Sequence, residues 1–264
     1  MNLRRIPDAA AVLLAVSSTA IAQQPDPLAT RNGWELGVQA AWYEYLEPDF
    51  AELSGNRLGL SAARTFSGSG LFEKFDLRAS YGSLKYQGSG TMTGVPDLIL
   101  EARAVAGMDW IGTRASLSPY LGLGYRWLYD DLRGNGSTGA AGYRRYSNYV
   151  YAPVGFTARF RLVDGWVLAP TLEADVFLQG KQVSNLSDTG LGYIDVTNHQ
   201  NTGRGHRASF MVEKGAWAFG AWTQYWHISD SDVQFAGVVG GIPRTGREPE
   251  NYTRESGLEL RYRF

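Results

Sequence analysis

The last eight residues of the chain, 257–264, read GLELRYRF. Apolar and aromatic side chains alternate there with charged ones, in the order Leu258, Glu259, Leu260, Arg261, Tyr262, Arg263, Phe264. A period of two places the apolar set on one face of a β-strand and the charged set on the other. The stretch therefore predicts a strand whose two faces meet different environments.

The same alternation recurs upstream and predicts ten strands. They span 34–46, 57–66, 74–86, 97–110, 115–130, 143–162, 166–181, 204–213, 217–229 and 252–264. Short gaps at 67–73, 111–114, 163–165 and 214–216 alternate with longer ones, of which 182–203 and 230–251 are the longest. An even strand number with short turns at one end and long loops at the other is typical of bacterial outer-membrane barrels, whose short turns are periplasmic.

The apolar face predicts two aromatic girdles, one at each membrane interface. The periplasmic girdle would hold Trp34, Trp110, Trp166, Trp217 and Phe264, and the external one Trp42, Tyr81, Tyr125, Trp127, Tyr129, Tyr146 and Tyr225. We therefore predict an all-β fold: one ten-stranded antiparallel up-and-down transmembrane β-barrel. The alternative is a secreted soluble sandwich or lipocalin-like barrel, but such a fold would not keep a regular charged face inside its core.

Composition excludes several other classes. The chain has 264 residues, of which 44% are hydrophobic and 13% aromatic, too many for a disordered protein. It lacks the run of roughly 20 apolar residues that a membrane helix needs. A net charge of -1 gives no basic surface for nucleic acid, and the absence of Cys excludes disulfides and thiolate metal sites. We expect no metal and no cofactor.

The N-terminus predicts export. Residues 1–22 have a charged start at Arg4 and Arg5, a short apolar core at 9–16 and a small-residue cleavage site at 20–22. These features are typical of a secretory signal peptide. We expect cleavage before Gln23, which leaves 23–264 as the barrel domain in the outer membrane, in contact with its lipid and lipopolysaccharide.

Two resemblances follow from these residues. The final strand, with Leu260, Tyr262 and Phe264, resembles the C-terminal signature by which outer-membrane barrels are recognised, which implies a contact with the barrel assembly machinery. The architecture resembles the ten-stranded omptin proteases and outer-membrane adhesins, without a match to a catalytic motif.

The charged face predicts the contents of the lumen. Its basic residues are Arg57, Arg78, Arg103, Arg126, Arg145, Arg159, Arg161, Arg207, Arg261 and Arg263. Its acidic residues are Glu35, Asp76, Glu101, Asp109, Glu173, Asp175, Glu213, Glu255 and Glu259. Barrels of about eight strands are narrow enough for side chains to fill. The near balance of signs thus favours a lumen plugged by ion pairs, with a narrow channel lined by charged rings as the alternative.

Few residues suit catalysis. His227 and Ser229 are two residues apart and would share one face of a strand. This His-x-Ser step resembles part of the motif of the outer-membrane lipid A deacylases. The resemblance implies His227 as base and Ser229 as nucleophile, with Glu255 as a candidate acid. By resemblance to the omptins, Asp130 and Asp131 would face a pair formed by His227 and Asp230, although the Asp-x-His order of that family is absent. Both sets are also typical of a solvated rim. We therefore expect a non-catalytic surface protein with an unidentified external ligand, and keep a surface hydrolase and a small channel as alternatives.

Overall fold

The computed structural model describes residues 26–264; the predicted signal peptide lies outside them. Two short 3-10 turns, Val163–Gly165 and Leu186–Thr189, interrupt an otherwise all-β chain. The strands are β1 (Gly33–Glu47), β2 (Ala51–Gly68), β3 (Leu71–Gln87), β4 (Thr91–Met108), β5 (Trp110–Ile111), β6 (Ala115–Asn135), β7 (Ala141–Arg161), β8 (Val167–Ser184), β9 (Val196–Gln200), β10 (Gly203–Lys214), β11 (Trp217–Ile228), β12 (Gln234–Val239), β13 (Ile242–Gly246) and β14 (Asn251–Arg263).

Ten of these strands close into an antiparallel barrel, which confirms the predicted fold. The order around the barrel is β1, β2, β3, β4, β6, β7, β8, β10, β11, β14. The first and last strands pair with each other, and Trp34 and Phe264 exchange backbone hydrogen bonds of 2.9 and 3.0 Å. Closure leaves no unpaired edge, which a sheet in hydrocarbon requires. Within residues 26–264 there is no helix with the length and apolar character needed to cross a bilayer.

The apolar face of the sheet points outward. Leu58, Leu121 and Leu258 are 72%, 67% and 67% exposed, which suits hydrocarbon and not water. Trp34, Trp110, Trp217 and Phe264 are exposed at the end where the chain enters and leaves the barrel, and Trp42, Tyr81 and Tyr125 are exposed nearer the opposite end. These positions match the predicted girdles, and they assign the end at which β1 begins and β14 ends to the periplasm.

The external ends of several strands are longer than the sequence indicated. The predicted external gaps 47–56 and 87–96 were too long, because β1 and β2 are joined by 48–50, and β3 and β4 by 88–90. Leu53 and Val95 lie on these extensions and point into the lumen, where each is almost fully buried. The Gly and polar residues of these segments predicted loops. The packing of apolar side chains inside the barrel instead extends the sheet through them.

The two longest external connections carry structure of their own. Residues 185–202 join β8 to β10 and contain β9, which pairs with the end of β8. Residues 229–250 join β11 to β14 and contain the hairpin of β12 and β13. We call these two connections together the external platform.

Candidate functional site in the lumen and at the external rim

The middle of the lumen holds a network of ion pairs centred on Arg207 of β10. Its guanidinium lies 2.5 and 2.9 Å from the two carboxylate oxygens of Glu101, 2.8 Å from Asp175 and 3.1 Å from Glu173. The hydroxyl of Tyr151 lies 2.8 Å from Arg207 and donates to Glu101 at 2.8 Å. Four strands, β4, β7, β8 and β10, are thus joined across the lumen.

Two further arginines extend this network to the remaining walls. Arg103 makes a bidentate pair with Glu173 at 2.7 and 3.0 Å and lies 3.5 Å from Asp76. Arg78 pairs with Glu255 and donates 3.0 Å hydrogen bonds to the side-chain oxygens of Gln39 and Gln224. Most carboxylates in the middle of the lumen therefore have a guanidinium partner, as buried charges require.

The lumen above this network, toward the external end, is filled by apolar and aromatic side chains. Trp226, at 1% exposure, packs edge-on to Tyr151 and beside Tyr149, with ring centroids 5.0 and 6.1 Å away. The other members of this apolar cluster are Tyr43, Tyr45, Leu53, Leu84, Val95, Ile99, Leu128, Leu132, Phe177 and Ile228. An apolar cluster that the charge pattern did not predict thus lies above the ion pairs.

Two buried arginines lie at the boundary between the network and the apolar cluster. Arg57 pairs with Asp97, and both side chains are fully buried. Arg126 is also fully buried, with its guanidinium 5.9 Å from the ring of Trp226. Among the residues that the structure describes, no carboxylate lies within 4 Å of Arg126 and no acceptor bonds its nitrogens.

A second charged cluster closes the external mouth. Arg145 pairs with Glu47 and lies 3.4 Å from Asp130 and 3.8 Å from Glu248, which belongs to the external platform. The hydroxyl of Tyr45 lies 2.8 Å from both Glu47 and Glu248. Burial and the neighbouring Glu47 carboxylate raise the pKa of Glu248 to about 8. A hydroxyl donates only one proton. Both contacts of Tyr45 are hydrogen bonds when its hydroxyl donates to Glu47 and a protonated Glu248 donates to the hydroxyl oxygen.

The periplasmic mouth is covered by the segment 26–32, which precedes β1. Leu28 of this segment is fully buried, and its carbonyl accepts a 2.6 Å hydrogen bond from Ser116. Thr30 donates through its backbone and its hydroxyl to Asp109, at 2.7 Å each. Asp26 lies 2.6 Å from Arg161, which is therefore tied to this segment and not to the central network.

A chamber of about 230 Å3 remains between this segment and the central network. Its walls carry Glu259 and Arg261, paired at 2.6 Å, and Arg263, paired with Glu213 at 2.6 and 2.8 Å. Arg159 also lines it, and donates to the hydroxyls of Ser118 at 3.1 Å and of Thr30 at 3.4 Å.

The structure does not bring together the three residues suggested by the deacylase resemblance. His227 lies on the outward face of β11, stacked on Tyr252 with centroids 4.7 Å apart, and its Nε2 contacts Glu250 at 2.5 Å. Glu255 is inside the lumen with Arg78. Ser229 is held through its backbone, which donates to Thr202 at 3.0 Å.

The acid pairs suggested by the omptin resemblance are separated as well. Asp130 points into the mouth toward Arg145, whereas Asp131 points outward and binds Arg133 at 2.7 Å. Asp230 pairs with Arg247 at 2.9 Å, not with His227. Within the described range, no group of three or more His, Asp or Glu residues is arranged to hold a metal ion.

Several residues of the plug escaped sequence reasoning. Glu47 lies one residue beyond the predicted strand 34–46, and Asp97 is the first residue of the predicted strand 97–110; both have the inward parity of their strands, which was the signal that could have identified them. Glu248 and the segment 26–32 reach the lumen from outside the ten strands, and periodicity carries no signal for such contacts.

The fold is similar to solved bacterial outer-membrane proteins. The outer-membrane protease OmpT from Escherichia coli is 10% identical, with a TM-score of 0.58 over 88% of this chain and 95% of that chain. The translocator domain of the autotransporter NalP from Neisseria meningitidis is 13% identical over 89% of this chain and 90% of that one, with a TM-score of 0.40. No protein-family model and no curated protein sequence matches the chain.

The similarity to OmpT concerns the fold alone. It agrees with the closed ten-stranded sheet, whose outward apolar face and girdles are those of a barrel of the bacterial outer-membrane type. Its activity has to be argued from its own lumen and loops.

Proposed function

We propose that this protein is a non-conducting outer-membrane barrel whose external platform binds a macromolecular partner at the cell surface. The observation that carries the proposal is a fixed platform with exposed apolar side chains, seated above a lumen that side chains fill.

The two connections of the platform are tied to each other and to the barrel. The side-chain amide of Asn198 donates to the carbonyls of Asp232 and Gly246 at 2.8 and 3.2 Å. The backbone of His199 donates to the Asp232 carboxylate at 2.6 Å, and this bond lowers the pKa of Asp232. Glu248 is anchored in the barrel mouth. These contacts support a preformed surface, which loses little conformational entropy on binding.

The platform exposes apolar side chains that packing inside the protein does not use. Phe235, Val238 and Ile242 of the hairpin are each 54% exposed, and Leu191 of the other connection is 58% exposed. Clusters of exposed apolar side chains on a water-facing surface are typical of interaction sites. The platform therefore supports binding of a partner with apolar surface of its own.

The closed lumen favours this function over transport. An ion would have to pass the Arg207 network, which joins strands on opposite sides of the lumen, and then the apolar cluster. In planar lipid bilayers we expect no conductance above the protein-free background. Reproducible single-channel steps from the purified barrel would support the channel alternative instead.

The binding role is tested with vesicles that carry the barrel, applied to an array of purified extracellular matrix and cell-surface proteins. We expect binding to at least one of these proteins to be lost when Phe235, Val238 and Ile242 are all replaced by Ser. The matched control is Phe50→Ser, which removes a 58% exposed aromatic side chain from an external turn outside the platform. Equal binding by the triple variant and the wild type would refute the assignment to the hairpin.

A further inference from the structure

The chamber between the segment 26–32 and the central network is lined by charged side chains of both signs. On its upper side Arg78, Arg103 and Arg207 each pair with carboxylates. Toward the periplasm the charged lining residues are the cations Arg31, Lys74, Arg159, Arg261 and Arg263 and the carboxylates Glu35, Asp76, Glu213 and Glu259. Asp109 adds a further carboxylate, which accepts hydrogen bonds from Ser118 and Thr30. The two signs are thus balanced in number, and the cations differ in whether a carboxylate is close enough to pair with them.

Two of these cations have no carboxylate partner among the described residues. Within residues 26–264, no carboxylate oxygen lies within 4 Å of Arg31 or Arg159. Arg159 reaches only hydroxyl oxygens, and Arg31 donates to the backbone carbonyl of Gly215 at 2.5 Å. The Nε of Arg31 is buried without an acceptor. Both side chains are partly buried, and guanidinium nitrogens that are withdrawn from water are costly unless an anion or another acceptor completes their hydrogen bonds.

The other two guanidinium groups of this wall have carboxylate partners. Arg263 bonds to Glu213 and Glu35, and Glu35 also lies 3.8 Å from Lys74 and 3.9 Å from Arg261. Burial and the nearby Arg263 lower the pKa of Arg31, and their effect outweighs the opposite effect of the Glu213 and Glu35 carboxylates. Within residues 26–264, Arg31 and Arg159 are therefore the arginines of this wall that lack an ion-pair partner.

We propose that the periplasmic side of this chamber is a binding site for one small oxyanion, a phosphate or a carboxylate, held between Arg31 and Arg159. Both side chains present planar guanidinium donors, which match the spacing of oxygens in such anions. A volume of about 230 Å3 corresponds to roughly seven or eight waters at about 30 Å3 each, so an anion fits with part of its hydration. The hydroxyls of Ser118 and Thr30 provide further donors on the same wall.

Access is from the periplasm. The external half of the lumen is filled by the apolar cluster, whereas in the described part of the chain the segment 26–32 is what covers the periplasmic end. This segment supplies Arg31 itself, so the bound anion and the closed segment would stabilise each other.

The test uses the full barrel purified in detergent and titrated with phosphate, and separately with acetate, at constant ionic strength set with chloride. Isothermal titration should show one site per chain, and the anion that binds more tightly identifies the oxyanion. Arg31→Gln and Arg159→Gln should each weaken that binding by about tenfold or more, since each removes a charge-assisted hydrogen bond. Arg133→Gln removes an exposed external guanidinium and should leave binding unchanged.

Folding and binding are separated by heat-modifiable gel migration, which reports a closed barrel for each variant. Arg31 lies outside the ten strands, so its variant remains informative even if Arg159→Gln does not fold. The proposal is refuted if neither anion binds to the wild type more tightly than chloride, or if Arg31→Gln binds as the wild type does.

Discussion

Replacing Arg207 by Ala should lower the free energy of unfolding by about 3–5 kcal/mol, the cost of removing one partner from a buried ion pair. Three carboxylates contact the Arg207 guanidinium, but the expected loss of stability corresponds to about one ion pair, because two of the three carboxylates keep other partners. Glu173 retains Arg103 at 2.7 Å, and Glu101 retains the Tyr151 hydroxyl at 2.8 Å and Arg78 at 3.9 Å. Asp175, at 1% exposure, has no other cation within 4 Å in the described part of the chain.

The control for this variant is Arg133→Ala. Arg133 pairs with Asp131 at 2.7 Å, but its side chain is 54% exposed, whereas that of Arg207 is 15% exposed. Exposed pairs contribute about 0–1 kcal/mol, so the two variants should differ clearly. The double variant Asp175→Asn with Arg207→Ala should be less destabilised than Arg207→Ala alone, because it no longer buries the unpaired carboxylate.

The assay is reversible urea unfolding of the barrel in lipid vesicles at pH 7, followed by tryptophan fluorescence and by heat-modifiable migration. The reasoning is refuted if Arg207→Ala and Arg133→Ala cost the same within about 1 kcal/mol, or if Asp175→Asn fails to offset any of the loss. Either result would mean that the central network is solvated and does not act as a plug.

Three further outcomes test other parts of the molecule. Glu248 has a pKa of about 8 in the folded protein against an ordinary value of 4.5, so the folded state binds a proton more tightly than the unfolded state. The free energy of unfolding should therefore fall as pH rises from about 4.5 to 8. In urea titrations at pH 5, 6.5 and 8, Glu248→Gln should make this dependence weaker. Trp226→Ala should lower the free energy of unfolding by about 3–5 kcal/mol through the cavity it leaves, whereas a loss near zero would show that the apolar cluster is loosely packed. Deleting Phe264, which closes the barrel through its backbone bonds to Trp34, should reduce the amount of folded barrel in outer-membrane fractions, and unchanged recovery would speak against its predicted role in assembly.

The fold was predictable because the bilayer imposes a simple rule on each strand. Outward residues must be apolar and inward residues can be charged, so the period of two in segments such as 257–264 is visible without knowledge of any partner strand. Strand ends were less predictable. The extensions that carry Leu53 and Val95 lie beyond the external girdle, where lipid no longer imposes this alternation, and inward packing determines them.

The lumen was predictable in content but not in arrangement. The charged residues of the inner face follow from strand parity, yet parity does not show that Arg207 serves three carboxylates while Arg126 and Arg159 have none within 4 Å in the described range. The surroundings of His227 were likewise not predictable from its own strand. Ser229, two residues further along, follows the end of β11, and cross-strand pairing places Tyr252 opposite His227.

The sequence by itself determined the strand period, the number of strands, the lipid-facing side and the set of charges inside, because each depends on the residue's own position along one strand. Only the tertiary structure decided which charges pair, where the apolar cluster closes the lumen, how Glu248 enters the external mouth and how the segment 26–32 covers the periplasmic one. These features depend on distances across the barrel between residues far apart in the chain. Such distances are set by the register of ten strands together, and no single stretch of sequence contains that register.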